Sequence, residues 1–167
     1  MVDTGEFVED GNEYYWVDRR IYMANTQELK KIRDFVIEKL SSELGQRLVN
    51  KQLQIGFSAN GSPRLKEFDG VSEDREIVVS VASNSGKTSG GKKPTGKIRS
   101  VYSSLYFLNL TRASKKIMVL TDPEFYDIFL KDSEGLLNDI ELRYIDLPPQ
   151  LKEIAKNVKD NASKEMS

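Results

Sequence analysis

An α/β domain with a mixed central sheet between helices is the fold class that the sequence predicts. Three observations carry it. One long helical pattern opens at Asn25, and three short strand-like segments separated by turns come next. From Ile77 onward, buried strands alternate with helices.

The first 24 residues mix acids with Phe7, Tyr14, Tyr15, Trp16 and Tyr22, and Asp10-Gly11-Asn12 is a turn signal between two β-prone runs. A hairpin or extended arm is expected there. The domain proper is expected over residues 25–158. Asn25 as N-cap with Glu28 three residues later reads as a capping box, and Leu29, Ile32, Val36, Leu40 and Leu44 fall on one helical face before Gly45.

Leu53, Ile55 and Phe57 alternate with polar residues as in a half-buried strand. Asn60-Gly61-Ser62-Pro63 turns the chain, and Arg64 to Val71 returns it. A second turn at Ser72-Glu73-Asp74 leads into the β-branched strand Ile77-Val78-Val79-Ser80-Val81, so the three strands make an antiparallel meander.

Residues 83–96 (SNSGKTSGGKKPTG) are too rich in Gly, Ser and Lys to pack and are expected to loop. A helix to about Arg112 then buries Ile98, Val101, Leu105 and Leu108. Lys116 to Thr121 is a short apolar strand suited to a parallel sheet. Asp122-Pro123-Glu124 starts a helix with an N-cap acid and Pro at its first position, and Phe125, Ile128 and Phe129 face inward. A strand over about Ile140 to Ile145 and a helix after Pro148-Pro149 complete the order, with a polar, disordered tail expected over 159–167.

Composition limits the chemistry. The 167 residues include no Cys and no His, which excludes disulfides, thiolate–zinc sites, imidazole ligands and the Ser-His-Asp triad. Catalysis would rest on carboxylates, Lys, Arg, Tyr, Ser or Thr, with a hard ion such as Mg²⁺ held by oxygen. No apolar run is long enough to span a bilayer, and the acidic N-terminus is followed by no apolar stretch, so a cytoplasmic protein with no membrane association is expected.

The net charge of −1 conceals a segregation. Residues 1–18 carry Asp3, Glu6, Glu9, Asp10, Glu13 and Asp18 and no base. From Ile77 to Thr121 there are eight bases and no acid: Lys87, Lys92, Lys93, Lys97, Arg99, Arg112, Lys115 and Lys116. Such a window makes a local positive field suited to a polyanion.

The order helix, three-strand meander, helix, parallel strand resembles the core of the restriction-endonuclease-like, or PD-(D/E)xK, nuclease superfamily. The resemblance covers residues 25–158, and the segment that carries it runs from Glu67-Phe68-Asp69-Gly70 through Ile77-Val78-Val79-Ser80-Val81-Ala82. In that family an acid on the second core strand joins a Glu-x-Lys or Asp-x-Lys on the third to bind Mg²⁺ and activate water. Asp69 takes the position of the first acid. Ser80 stands where the second carboxylate belongs and Ala82 where the lysine belongs, so the resemblance implies a degraded metal site and a catalytically inactive relative.

In the same family the catalytic Lys or Glu can migrate to a neighbouring element. The candidates here are Lys66 and Glu67 on the preceding strand, Glu28, Glu38 or Glu43 on the first helix, and Lys97 or Arg99 on the next helix. With Asp69, Lys66 and Glu67 form the candidate catalytic set, and Asp69 is the candidate Mg²⁺ ligand. On a regular strand, Glu67 and Asp69 would point the same way.

A rival motif, Ser85-Gly86-Lys87-Thr88, resembles the end of a phosphate-binding P-loop, but Val81 occupies the position of its first Gly. Ser89-Gly90-Gly91-Lys92-Lys93-Pro94 also defers the helix that such a loop needs. The loop retains value as a phosphate grip through Lys87, Lys92, Lys93, Lys97 and Arg99, with DNA favoured over RNA. Tyr102 and Tyr106, four apart on the adjoining helix, are expected as core or boundary residues, with stacking on or bonding to sugar-phosphate as the alternative. The acidic arm is a poor nucleic-acid surface and suits a homodimer or protein partner. Three functions therefore stand: a non-catalytic nucleic-acid-binding subunit of DNA processing or defence, an active Mg²⁺ nuclease with migrated residues, and a protein-interaction module.

Overall fold

The computed structural model describes residues 5–10, 13–86 and 90–165, with side chains over 26–86 and 90–157. Its elements are β1 (Gly5–Asp10), β2 (Glu13–Asp18), α1 (Arg19–Leu44), β3 (Leu48–Phe57), β4 (Pro63–Ser72) and β5 (Ile77–Ala82). There follow α2 (Thr95–Asn109), β6 (Lys115–Leu120), α3 (Pro123–Asp132), β7 (Ile140–Tyr144) and α4 (Pro149–Glu165). The chain divides into two compact units, one of them Phe35–Asp146 and the other taking in the residues before and after it.

In the terminal unit, β1 and β2 pair antiparallel from Gly5↔Asp18 to Asp10↔Glu13, which is the expected hairpin. Its side chains, on which the partner-binding expectation for the arm rests, lie outside the described residues, as do those of the tail expected over 159–167. The backbone of α4 is helical to Glu165.

The first helix begins at Arg19, six residues before the expected cap, so Asn25 sits inside it and the Asn25–Glu28 capping box is not formed. No Gly or Pro stands between Asp18 and Gly45 to stop the helix, and an interior Asn costs at most about 0.7 kcal/mol. The stop signal is as expected: Gly45 has φ 65°, a left-handed conformation that suits Gly.

The unit Phe35–Asp146 is built on a five-stranded sheet of order β3-β4-β5-β6-β7. β3, β4 and β5 form the antiparallel meander, and β5, β6 and β7 run parallel. Alternation along the strands separates two faces. Val78, Met118 and Leu120 join Ile98, Val101, Leu105 and Leu108 of α2 and Phe125 and Phe129 of α3 in one core cluster. On the other face, a Cβ on Gly70 would come within 2.7 Å of Ile37 Cδ1, so the end of α1 packs directly on bare backbone there. Among the described residues no helix is long and apolar enough to cross a membrane.

The meander is not regular. Val49 pairs with Val71 but Lys51 pairs with Phe68, so Asp69 and Gly70 together oppose the single residue Asn50. This is a β-bulge on β4. Phe68 and Val71, three residues apart, consequently enter the same core cluster. β4 then pairs with β5 only at Gly70↔Val79 and Val71↔Val78.

Candidate functional site

The bulge decides what Asp69 does. Continued ladder pairing would set Asp69 opposite Ser80. Instead its carboxylate Oδ2 accepts the backbone N–H of Val81 at 2.8 Å. The acid is half-buried, and this bond replaces a ladder hydrogen bond where the β4–β5 pairing ends. Bulges are used in this way to re-aim one side chain at a strand's end.

The same bulge breaks the expected register of Glu67 with Asp69, because alternation is interrupted past Phe68. Glu67 is exposed and opposite Gln52. Lys66 reaches α2, where its Nζ sits 5.3 Å from the centre of the Phe107 ring, a cation–π contact. Ser80 and Ala82 are half-buried on β5, opposite Met118 and Leu120 of β6. Of the acids considered on α1, Glu43 is bound to Arg143 of β7 at 2.7 Å, Glu28 lies 3.4 Å from Lys31, and Glu38 is exposed. Among the described residues no three acids come close enough together to hold a metal ion.

Beyond β5 the chain enters the Gly-rich loop, which is anchored more firmly than its composition implies. Gly86 N donates to Asp122 Oδ2 at 3.0 Å, and Phe125 N donates to the same oxygen at 2.8 Å. One carboxylate therefore caps α3 and pins the loop. Only Gly fits at position 86, since a Cβ there would lie 2.8 Å from Phe125 N. From α2, Lys97 Nζ donates to the Ser85 carbonyl at 2.8 Å.

The far side of the loop is clamped too. Lys93 Nζ pairs with Asp132 Oδ1 at 2.7 Å, while the Tyr102 hydroxyl donates to Asp132 Oδ2 at 2.7 Å. The Lys93 hydrogen bond, then that of Tyr102, holds the Asp132 carboxyl below its ordinary range. Between these anchors lies a groove of about 650 Å³, lined by Gly86, Lys92, Lys93, Pro94, Ile128 and Lys131 among others. Lys92 and Arg99 are exposed, and Lys87 lies outside the described residues.

Of the five expected phosphate-binding cations, then, Lys93 and Lys97 hold the loop in place. Asp122, expected only as a helix cap, and Asp132 and Tyr102 are its other anchors. Nothing local in the sequence marks Asp132, because its partners stand 30 and 39 residues away. Tyr102 is half-buried as expected for a boundary residue, whereas Tyr106 is 62% exposed.

The clamp predicts a pH dependence. Burial first, and then the bond to Asp132, pushes the Tyr102 hydroxyl up to about 12. Burial and the bond to Asp146 do the same to Tyr144, also to about 12. Raised folded-state values mean that the neutral phenols stabilise the fold. That stability is complete below the ordinary value of about 10 and disappears as pH rises from there through about 12. The urea midpoint is expected to fall between about pH 10 and about pH 12, and to fall less in Tyr102→Phe. An identical fall in that variant would refute the assignment.

Compared with family models, with curated proteins and with solved structures, the chain matches none.

Proposed function

We propose that this chain is a restriction-endonuclease-like protein with a degraded metal site that binds nucleic acid through the loop after β5 and the start of α2. The observation that carries the reading is the state of Asp69. The acid in the family's first position accepts a backbone N–H at β5, and β5 presents Ser80 and Ala82 where a carboxylate and a lysine would complete the site. A strand order of β3-β4-β5-β6 with β5 and β6 parallel fits that family's core. The base-rich, acid-free stretch from Ile77 to Thr121 supplies the positive field.

Binding is expected to be salt-sensitive and indifferent to Mg²⁺. Three phosphate contacts from this stretch would give a slope of log K against log salt of roughly −2.7 on duplex DNA. If Lys93 exchanges Asp132 for a phosphate, the slope steepens to about −3.6. Fluorescence anisotropy of labelled duplex DNA across a salt series measures it, with a parallel incubation in Mg²⁺ or Mn²⁺ to detect cleavage. No binding to any polyanion at about 50 mM salt would sink the reading.

One observation favours a second reading, an active nuclease with a migrated lysine. The Asp69 carboxylate and the Lys97 ammonium both bond to the end of β5 and its continuation, at Val81 and Ser85. Metal-dependent cleavage abolished by both Asp69→Asn and Lys97→Met would establish it in place of the first.

A further inference from the structure

A second groove, of about 550 Å³, shares no residue with the basic loop. Leu53, Ile55 and Phe57 of β3 and Leu110 and Ala113 after α2 supply its apolar lining. Phe57 is 71% exposed and Leu110 38%, which leaves a large aromatic and an aliphatic side chain in water beside an opening. β3 is the terminal strand of the sheet, and no described strand pairs with its outer edge. It runs for 10 residues with Lys51 as its one charge. Natural edges of that length are ordinarily blunted by charges, Pro or bulges; β3 has one charge and no Pro, and its pairing shifts register between Gln54 and Gly56.

Two arginines border the same groove, Arg75 and Arg112, with Glu76 as the one acid among its lining residues. Both arginines are exposed, and among the described residues neither guanidinium takes part in an ion pair or hydrogen bond. Arg75 is also held where an arginine is poorly suited. Its φ is 62°, in the left-handed region that favours Gly.

The turn around Arg75 is tightly built. Arg75 N donates to the Ser72 carbonyl at 2.9 Å, and Ile77 N donates to Ser72 Oγ at 2.9 Å. Asp74 Oδ1 accepts from Ser72 Oγ at 2.6 Å and from Glu76 N at 3.0 Å. A cation is thus presented at a position where Gly would relieve the backbone.

We infer that this groove receives an extended peptide that adds a strand to the outer edge of β3, seats an apolar side chain against Ile55, Phe57 and Leu110, and presents a carboxylate to Arg75 and Arg112. Strand addition supplies affinity through main-chain hydrogen bonds and specificity through the pockets beside them. A nucleic acid would also be drawn to two arginines, but an apolar lining, an unpaired strand edge and Glu76 on the rim suit a peptide better. The inference stands apart from the nucleic-acid reading, and either can fail alone.

The full chain is titrated with fluorescein-labelled peptides of about eight residues, a strand-addition length, alternating valine and threonine. One ends in Phe-Glu with a free carboxylate, and its counterpart ends in Phe-Gln amide. The acidic peptide is expected to bind at least about tenfold more tightly than the amide. The double variant Arg75→Gly, Arg112→Ala should erase that difference, and Phe57→Ser should weaken both peptides.

None of these substitutions touches the core. Arg75→Gly relieves a left-handed residue, so an unfolding midpoint at or above that of the parent accompanies the loss. Absence of binding up to about 1 mM, where only the weakest complexes escape detection, overturns the inference. So does equal affinity for the two peptides, or binding unchanged in the arginine variant. Competitive displacement of the peptide by single-stranded DNA would assign the groove to nucleic acid instead.

Discussion

Phe129→Ala is expected to lower the unfolding free energy by about 3–5 kcal/mol, the cost of emptying a fully buried aromatic site. Phe129 has no exposed surface, and its ring lies 6.3 Å from that of Phe125 and 5.1 Å from that of Tyr102. It is therefore both a core residue of α3 and the backing for the tyrosine that holds Asp132. Total stabilities of single domains are about 5–15 kcal/mol, so a loss of this size removes a large part of the whole.

The effect should reach the loop as well. With Tyr102 unsupported, its bond to Asp132 loosens and Lys93 is released. Urea unfolding gives the energy, and an unchanged m-value shows that the same surface is still exposed on unfolding. Tyr106→Ala serves as control, since a residue this exposed should change stability by no more than about 0.5 kcal/mol. A Phe129→Ala chain within about 1 kcal/mol of the parent would contradict the packing described.

Asp69→Ala is expected to cost about 1.5 kcal/mol, the lower end for a hydrogen bond to a charged group, because water reaches the half-buried site. The loss arises at Val81, whose N–H has Asp69 as its acceptor where the β4–β5 ladder ends. Asp69→Asn keeps an acceptor oxygen and should recover most of the stability. Hydrogen exchange provides an independent measure: the Val81 amide should be protected in the parent and in Asp69→Asn, and exchange faster in Asp69→Ala. Equal stability and equal protection in all three would mean that the carboxylate has no structural role, and the metal-ligand reading would then gain.

Much of the fold is legible along the chain. The helical spacing of Ile98, Val101, Leu105 and Leu108 matches their burial on α2. Asp122-Pro123-Glu124 starts α3 with its predicted cap, and the continuous apolar run of β6 is a buried parallel strand. Local signals misled at the first helix, where a plausible capping box at Asn25 and Glu28 lies inside a helix that begins at Arg19. An N-cap motif indicates where a helix can start, and nothing in it forbids an earlier start when the preceding residues tolerate helix.

The site was less legible. Glu67 and Asp69 are spaced to share a face on a regular strand, and the bulge at Asp69-Gly70 breaks that relation. The run of lysines reads as uniformly available for phosphate, yet Lys93 is tied to Asp132 and Lys97 to the Ser85 carbonyl. Charge counting along a sequence records how many cations there are and says nothing of which the fold uses.

By itself, then, the sequence determined the α/β class, the order of its elements, the absence of Cys and His chemistry, and the location of the positive segment. Hydrophobic period, caps and turns act over a few neighbouring residues, so they can be read without coordinates. Only the tertiary structure decided where Asp69 points, which carboxylate pins Gly86, and which cations are engaged internally. Those outcomes rest on contacts between residues 12, 36 and 39 positions apart. Such pairs form only when sheet register and helix docking bring distant segments together, and a single displaced residue in β4 is enough to redirect a carboxylate.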